Sequence, residues 1–167
     1  MRNFVINEKS KQYWWEGEGQ LSLKTFANGK AFYKTNHGFF SVEEHRYLLL
    51  NEGDYTITID EQTETEAFCI FFKHGFAGEV FRSFAESADQ LLTDPFKTSA
   101  SIHFFEKTYR SQRLSDQIHL FKKSFTPDHN SDEPYHFLMQ ALLFEHCDSR
   151  IDNSCPTFEK NYIEELA

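Results

Sequence analysis

Residues 46–72 read RYLLLNEGDYTITIDEQTETEAFCIFF, and the fold turns on how this stretch is divided. Three apolar runs stand here, separated by two polar connections. Residues 47–50 are compact and apolar. Asn51, Glu52, Gly53 and Asp54 form a turn, with Gly53 free to take a positive φ. Residues 55–59 alternate apolar side chains with Thr, the period of a half-buried strand. Residues 60–66 are wholly polar and read as a loop. Residues 67–72 are apolar at nearly every position, so both faces of that strand should be covered. Divided in this way, the stretch is a β-meander at the centre of a barrel or sandwich.

Outward from it, the same signals recur on the N-terminal side. The first dozen residues are polar and are expected to be loosely attached. Tyr13, Trp14 and Trp15 open the structured region, and Gly17 and Gly19 bracket a turn. Residues 20–26 and 30–34 are strands, and Asn28-Gly29 between them is the strongest short hairpin signal in the chain. Asn36, His37 and Gly38 mark another turn before a strand at 39–42. Short strands at this spacing argue a sandwich or a closed barrel.

The character changes at Phe76. Apolar residues at 76, 80, 81, 84, 88, 91 and 92 have the three-and-four spacing of an amphipathic helix, ended by Thr93-Asp94-Pro95. Residues 102–109 look like a final strand returning to the sheet. Leu114, Ile118, Phe121 and Phe125 mark a second helix, and residues 134–147 a third, with Pro134 well placed at its start. The third helix is apolar around much of its circumference, so two partners are expected for it, one of them a second subunit. Residues 157–167 begin like another helix and stop in mid-pattern, either as a frayed end or as a cut from something longer.

Composition narrows the classes. The chain has 167 residues, enough for one domain with a sizeable core, and 19 of them are Phe. A formal net charge of −9 disfavours contact with nucleic acid by this chain alone, because phosphate binding needs a basic face. The only basic cluster, Arg110, Arg113, Lys122 and Lys123, reads as a solvated helix face. Cys69, Cys147 and Cys155 show no paired spacing. No signal-peptide core and no apolar run of membrane-spanning length is present, so a cytoplasmic protein with no membrane contact is expected. The chain also lacks a G-x-S-x-G elbow, a phosphate-binding glycine loop and any Cys–His pairing that sequence can vouch for. No catalytic residue is assigned, and no enzyme activity is expected.

The passage from WWEGEGQLSLKTF through RYLLLNEGDYTITID to EAFCIFFKHGFAGEV resembles the N-terminal domain of AraC-type bacterial transcriptional regulators, over roughly residues 14–92. PTFEKNYIEELA is similar to the segment that leads from such a domain towards the DNA-binding half. The resemblance implies a mainly β fold, a cupin-like double-stranded β-helix (a jelly-roll barrel), followed by three helices packed outside it. The barrel would occupy residues 1–110, including a helix at about 76–92. Residues 111–167 would carry dimerisation and the start of a linker. The implied function is effector sensing and homodimerisation through the C-terminal helices, with promoter DNA bound only through a helix-turn-helix half absent from this chain.

A cupin fold raises the question of a metal. No H-x-H pair occurs, but His37, His45 and His103 with Glu44 are conceivable ligands for Zn or Fe. The alternative function is therefore a stand-alone metal-dependent cupin enzyme, or else a small-molecule-binding barrel with no transcriptional role. Surface histidines are the expectation, with no metal and no cofactor. The stronger candidate is a small-molecule pocket inside the barrel. Alternation puts Tyr33 with Ala31 on one face, and His45, Tyr47 and Leu49 together on another. If these faces point inward, Tyr33, His45 and Tyr47 offer polar tips in an aromatic lining, Trp15 covers the mouth, and His103 stands on the late strand. The competing expectation is a barrel simply filled by Phe.

Overall fold

The computed structural model describes residues 2–85, 102–126, 131–146 and 157–158. The chain divides into two compact units: residues 1–73 with 106–115, and residues 74–105 with 116–167. The first unit is a seven-stranded, nearly closed, barrel-shaped sheet. Its strands are β1 (Phe4–Gly19), β2 (Leu21–Ala27), β3 (Ala31–Thr35), β4 (Gly38–Val42), β5 (Tyr47–Leu50), β6 (Gly53–Phe72) and β8 (Thr108–Tyr109).

The ladder of β1 and β6 is the frame. The two strands pair antiparallel over their whole lengths, from Phe4↔Phe71 to Gly19↔Gly53. Along its other edge β6 takes β3 at Thr56–Thr58 positions and β2 further on, with Leu21 opposite Phe72. A 20-residue strand fully extended spans roughly 65 Å. Yet Gly19 sits opposite Gly53 and Leu21 opposite Phe72, so the one residue between them, Gln20, bridges the two ends of β6. The ladder must therefore curl back on itself. Gln20 Nε2 secures the closure by donating to the carbonyls of Arg2 (3.1 Å) and Phe72 (3.0 Å). Asn3 Oδ1 adds to it by accepting the Lys73 N–H at 2.7 Å.

The expected meander is corrected at its second polar connection. Residues 60–66 do not reverse the chain. They continue β6, so that 55–59 and 67–72 are two halves of one bent strand. The register shifts between Ser10 and Gln12 of β1, and the extra residues of β6 bulge there. Thr63 and Thr65 favour extended backbone, and β1 supplies the hydrogen bonds that a surface loop would take from water. Nor are the first dozen residues loose, because from Phe4 onward they form β1.

The Asn28-Gly29 hairpin is a further correction. β2 and β3 both run antiparallel to β6 and pair with different stretches of the same edge, β2 with residues 66–72 and β3 with residues 56–58. Asn28-Gly29 is thus a kink joining two roughly collinear strands, placed opposite the β6 bulge. Asn28 lies at φ 62° and Gly29 at φ 158°. The Asn28 N–H donates to Glu44 Oε1 at 2.6 Å, and the Asn28 carbonyl accepts the Thr63 hydroxyl at 3.0 Å. A side chain at Gly29 would place Cβ 2.2 Å from Thr65 Oγ1, so the close approach requires glycine.

The strand expected at 102–109 is also interrupted. β7 (Ile102–His103) pairs with β9 (Thr157–Phe158) in the second unit, and β8 pairs with β5 in the first. Thr157, where a helix was expected to begin, is in that short strand, and the remainder of the expected C-terminal helix lies outside the described residues. Glu106, between β7 and β8, accepts the Asn51 N–H at 2.9 Å and meets His37 Nδ1 at 2.5 Å.

Helices α1 (Phe76–Ala85) and α3 (Glu133–His146) of the second unit, and α2 (Gln112–Ser124), which enters that unit at Asp116, fall where the apolar spacing put them. The part of the first helix beyond residue 85 lies outside the described residues. α1 packs against α3. Phe121 of α2 meets Tyr135 of α3 edge-on at 5.1 Å. In contacts, α1 groups with α2 and α3 in this unit. No described helix is long and apolar enough to cross a membrane.

Candidate functional site

The inner face of the barrel leaves a cavity of about 430 Å³, within the range of small-molecule sites. Its wall follows from strand parity. β6 turns Tyr55, Ile57, Ile59, Thr65, Ala67, Cys69 and Phe71 towards it, all odd-numbered. β1 contributes Phe4, Ile6, Glu8 and Ser10, then, after the register shift, Tyr13 and Trp15. The irregularity in β1 thus switches which parity faces inward and keeps a continuous lining. Phe4 stacks on Phe71 at 4.5 Å, and Trp15 packs against Tyr55 at 5.1 Å. Tyr55 lies close over Gly19, where a Cβ would come 2.6 Å from the ring.

Into this apolar wall β2 sends Lys24. The residue is only 1% exposed. Its Nζ donates to Tyr55 Oη at 3.1 Å. It also lies 3.9 Å from the Phe71 ring centre, 4.8 Å from that of Tyr55 and 5.7 Å from that of Tyr33. Aromatic faces attract a cation, though more weakly than a carboxylate would. Among the described residues Lys24 has no carboxylate partner; Glu8 and Glu18 line the cavity but are exposed. Burial therefore dominates and pushes the ammonium down to about 8, slightly opposed by attraction to Cys69. Burial likewise pushes up the Cys69 thiol and the Tyr33 and Tyr55 phenols. Cys69 is hydrogen-bonded with Tyr33. Both Lys24 and Cys69 are held towards their neutral forms, amine and thiol.

A chain folded in this way has known counterparts. No family model matches it, and no curated protein sequence matches it. Among solved structures, the apo form of a ToxT variant from Vibrio cholerae superposes with a TM-score of 0.62 at 7% identity, over 99% of this chain and 63% of that one. The fold is ToxT-like. A second ToxT crystal form from Vibrio cholerae matches with a TM-score of 0.51 at 11% identity, covering 85% of this chain and 54% of that one. ToxT is an AraC-family regulator, so the resemblance drawn from the sequence holds in the fold. The chain spans less than two thirds of either ToxT chain. At such identity the likeness is one of fold alone.

Within the ToxT-like barrel, the five residues singled out in the sequence separate. Trp15 and Tyr33 line the cavity. Tyr47 does not: it is buried on the opposite face of the sheet, stacked on Tyr109 at 5.5 Å, while Leu48 and Leu50 join the core cluster with Tyr33 and Tyr55. All four residues of β5 are buried, so alternation could not tell its two faces apart. His45 is exposed at φ 68° in the turn before β5, which breaks the strand parity assumed for it. His103 belongs to β7 of the second unit. His37 pairs with Glu106, and among the described residues no three His, Cys, Asp or Glu side chains group as metal ligands.

Lys24, Tyr55 and Cys69 were not anticipated. A lysine in LSLKTF reads as solvent-facing, and Lys24 carries no local mark of burial. The one available signal is indirect: β2 is buried on both faces, so any lysine at its centre has to be enclosed.

Proposed function

We propose that the barrel is the effector-sensing domain of an AraC-type regulator, and that its effector is an apolar small molecule with one anionic group. The observation that carries this reading is the cavity lined by aromatic and aliphatic side chains, with a single buried lysine among them that has no carboxylate partner in the described residues. An apolar body matches the wall, and an acid group supplies the charge that Lys24 lacks. Tyr55, already bonded to Nζ, would orient the pair. In this reading the protein binds and does not turn over substrate.

The test is direct. Decanoate should raise the melting temperature and bind more tightly than decanol, which shares the tail. Lys24→Gln should remove that advantage, about 1.5–2 kcal/mol or 10–30-fold in Kd by titration calorimetry. If neither compound shifts melting at millimolar concentration, the barrel is not a pocket for such ligands.

The remainder of the reading concerns partners. Promoter DNA would be bound through a helix-turn-helix half outside this chain, in the cytoplasm. Homodimerisation through α2 and α3 is supported by Leu120 (55% exposed), Phe137 (59%) and Phe144 (61%), large apolar side chains open to solvent on those helices. Sedimentation velocity at roughly 50 μM, a concentration at which a weak helical interface is populated, should show a dimer. A strict monomer there removes the dimerisation role.

A further inference from the structure

We propose that Lys24 captures an apolar aldehyde in the barrel cavity as a covalent imine. This rests on the reading of the cavity as a ligand pocket and names a second head group that the same pocket accepts. The geometry sets it apart from an ordinary lysine. Nζ is enclosed by the rings of Phe71, Tyr55 and Tyr33, faces a cavity able to hold an apolar chain, and has one hydroxyl, Tyr55 Oη, at 3.1 Å.

The step is a condensation. The Nζ lone pair adds to the carbonyl carbon, the C–N bond forms, and the C=O π pair passes to oxygen, which takes up a proton. The nitrogen then loses its protons as the oxygen leaves as water. One amine and one aldehyde yield one imine and one water, with no oxidant or reductant. Tyr55 is placed to pass the proton between nitrogen and the departing oxygen, and burial keeps its phenol protonated and able to donate.

Two physical effects favour this lysine over those on the surface. With the ammonium pushed down to about 8, about a quarter of the molecules hold the free amine at pH 7.5, against about a thousandth for an exposed lysine. The neutral imine also removes a buried charge whose desolvation the fold otherwise bears. Cys69, the other nucleophile on this wall, is held as the less reactive thiol by burial.

The experiment treats the full chain with decanal and sodium cyanoborohydride, which reduces an imine to a stable secondary amine, and locates the label by peptide mass spectrometry. Lys24 should carry at least about tenfold more label than any exposed lysine, and prior saturation with decanoate should suppress labelling at Lys24 alone. Lys24→Arg, which keeps the charge but forms no imine, should lose that site's label. Should the variant misfold, decanoate protection in the unaltered protein still decides the matter. If decanoate shifts melting while decanal labels only exposed lysines, the imine is overturned and the pocket stands. If Lys24 is labelled and decanoate neither binds nor protects, the imine stands and the acid reading falls. If neither compound reaches Lys24, both fall.

Discussion

Lys24→Met should stabilise the ligand-free protein by about 3 kcal/mol at pH 7, an unusual sign for a core substitution. The ammonium falls from 10.5 in the unfolded chain to about 8 in the fold, and each unit is worth 1.36 kcal/mol. Between those values the unfolded chain binds more protons, so stability rises with pH there, and below pH 8 the full penalty is in force. Methionine fills similar space without charge and adapts to its neighbours. Loss of the bond to Tyr55 offsets about 1 kcal/mol of the gain at most. The advantage should shrink by about 1 kcal/mol between pH 7 and pH 9. At higher pH, Cys69, Tyr33 and Tyr55 act in the opposite direction, because burial raises their pKa values and they ionise first in the unfolded chain. Urea unfolding followed by fluorescence suits the comparison, since Trp14 and Trp15 both lie in β1. Equal destabilisation by the variant at both pH values would mean that the ammonium is well paired in the fold.

Gly29→Ala is expected to cost about 3 kcal/mol. The new Cβ would stand 2.2 Å from Thr65 Oγ1 at a backbone φ of 158°, so steric overlap adds to backbone strain. Thr65 is fully buried within β6 and its hydroxyl has no hydrogen-bond partner, so it has little room to yield and little to lose. Thr65→Ala in the same chain should therefore recover about 1–2 kcal/mol, a coupling that a double-mutant cycle measures. Additive effects would show that the kink is not held against the β6 bulge.

That kink marks where reading the sequence fell short. Asn28-Gly29 has the composition of a two-residue hairpin, and residues 60–66 have that of a loop. In the fold they lie opposite each other, at the level where β1 shifts register, and together they bend the barrel wall. Turn chemistry records that the backbone needs a positive φ. It does not record whether the chain reverses, because the reversal depends on which strand lies alongside. The same holds for β5: with every residue buried, Tyr47 and Leu48 present no contrast by which to choose the inner face.

The sequence by itself determined most of the strands between residues 20 and 72, the change from period two to helical spacing at Phe76, the positions of the three described helices and the resemblance whose fold ToxT shares. Each of these rests on a periodicity that neighbouring residues express locally. The placement of Trp15 and Tyr33 on the cavity wall was also within reach, since both belong to strands with one open face. Only the tertiary structure decided that residues 55–59 and 67–72 are one strand, that β1 closes the ring, and that Lys24 is inside. Pairing is a choice among distant partners, and a Thr- and Glu-rich run meets its hydrogen bonds equally well from water or from β1. Lysine's place is likewise set by what surrounds it, and here three aromatic rings from other parts of the barrel enclose it.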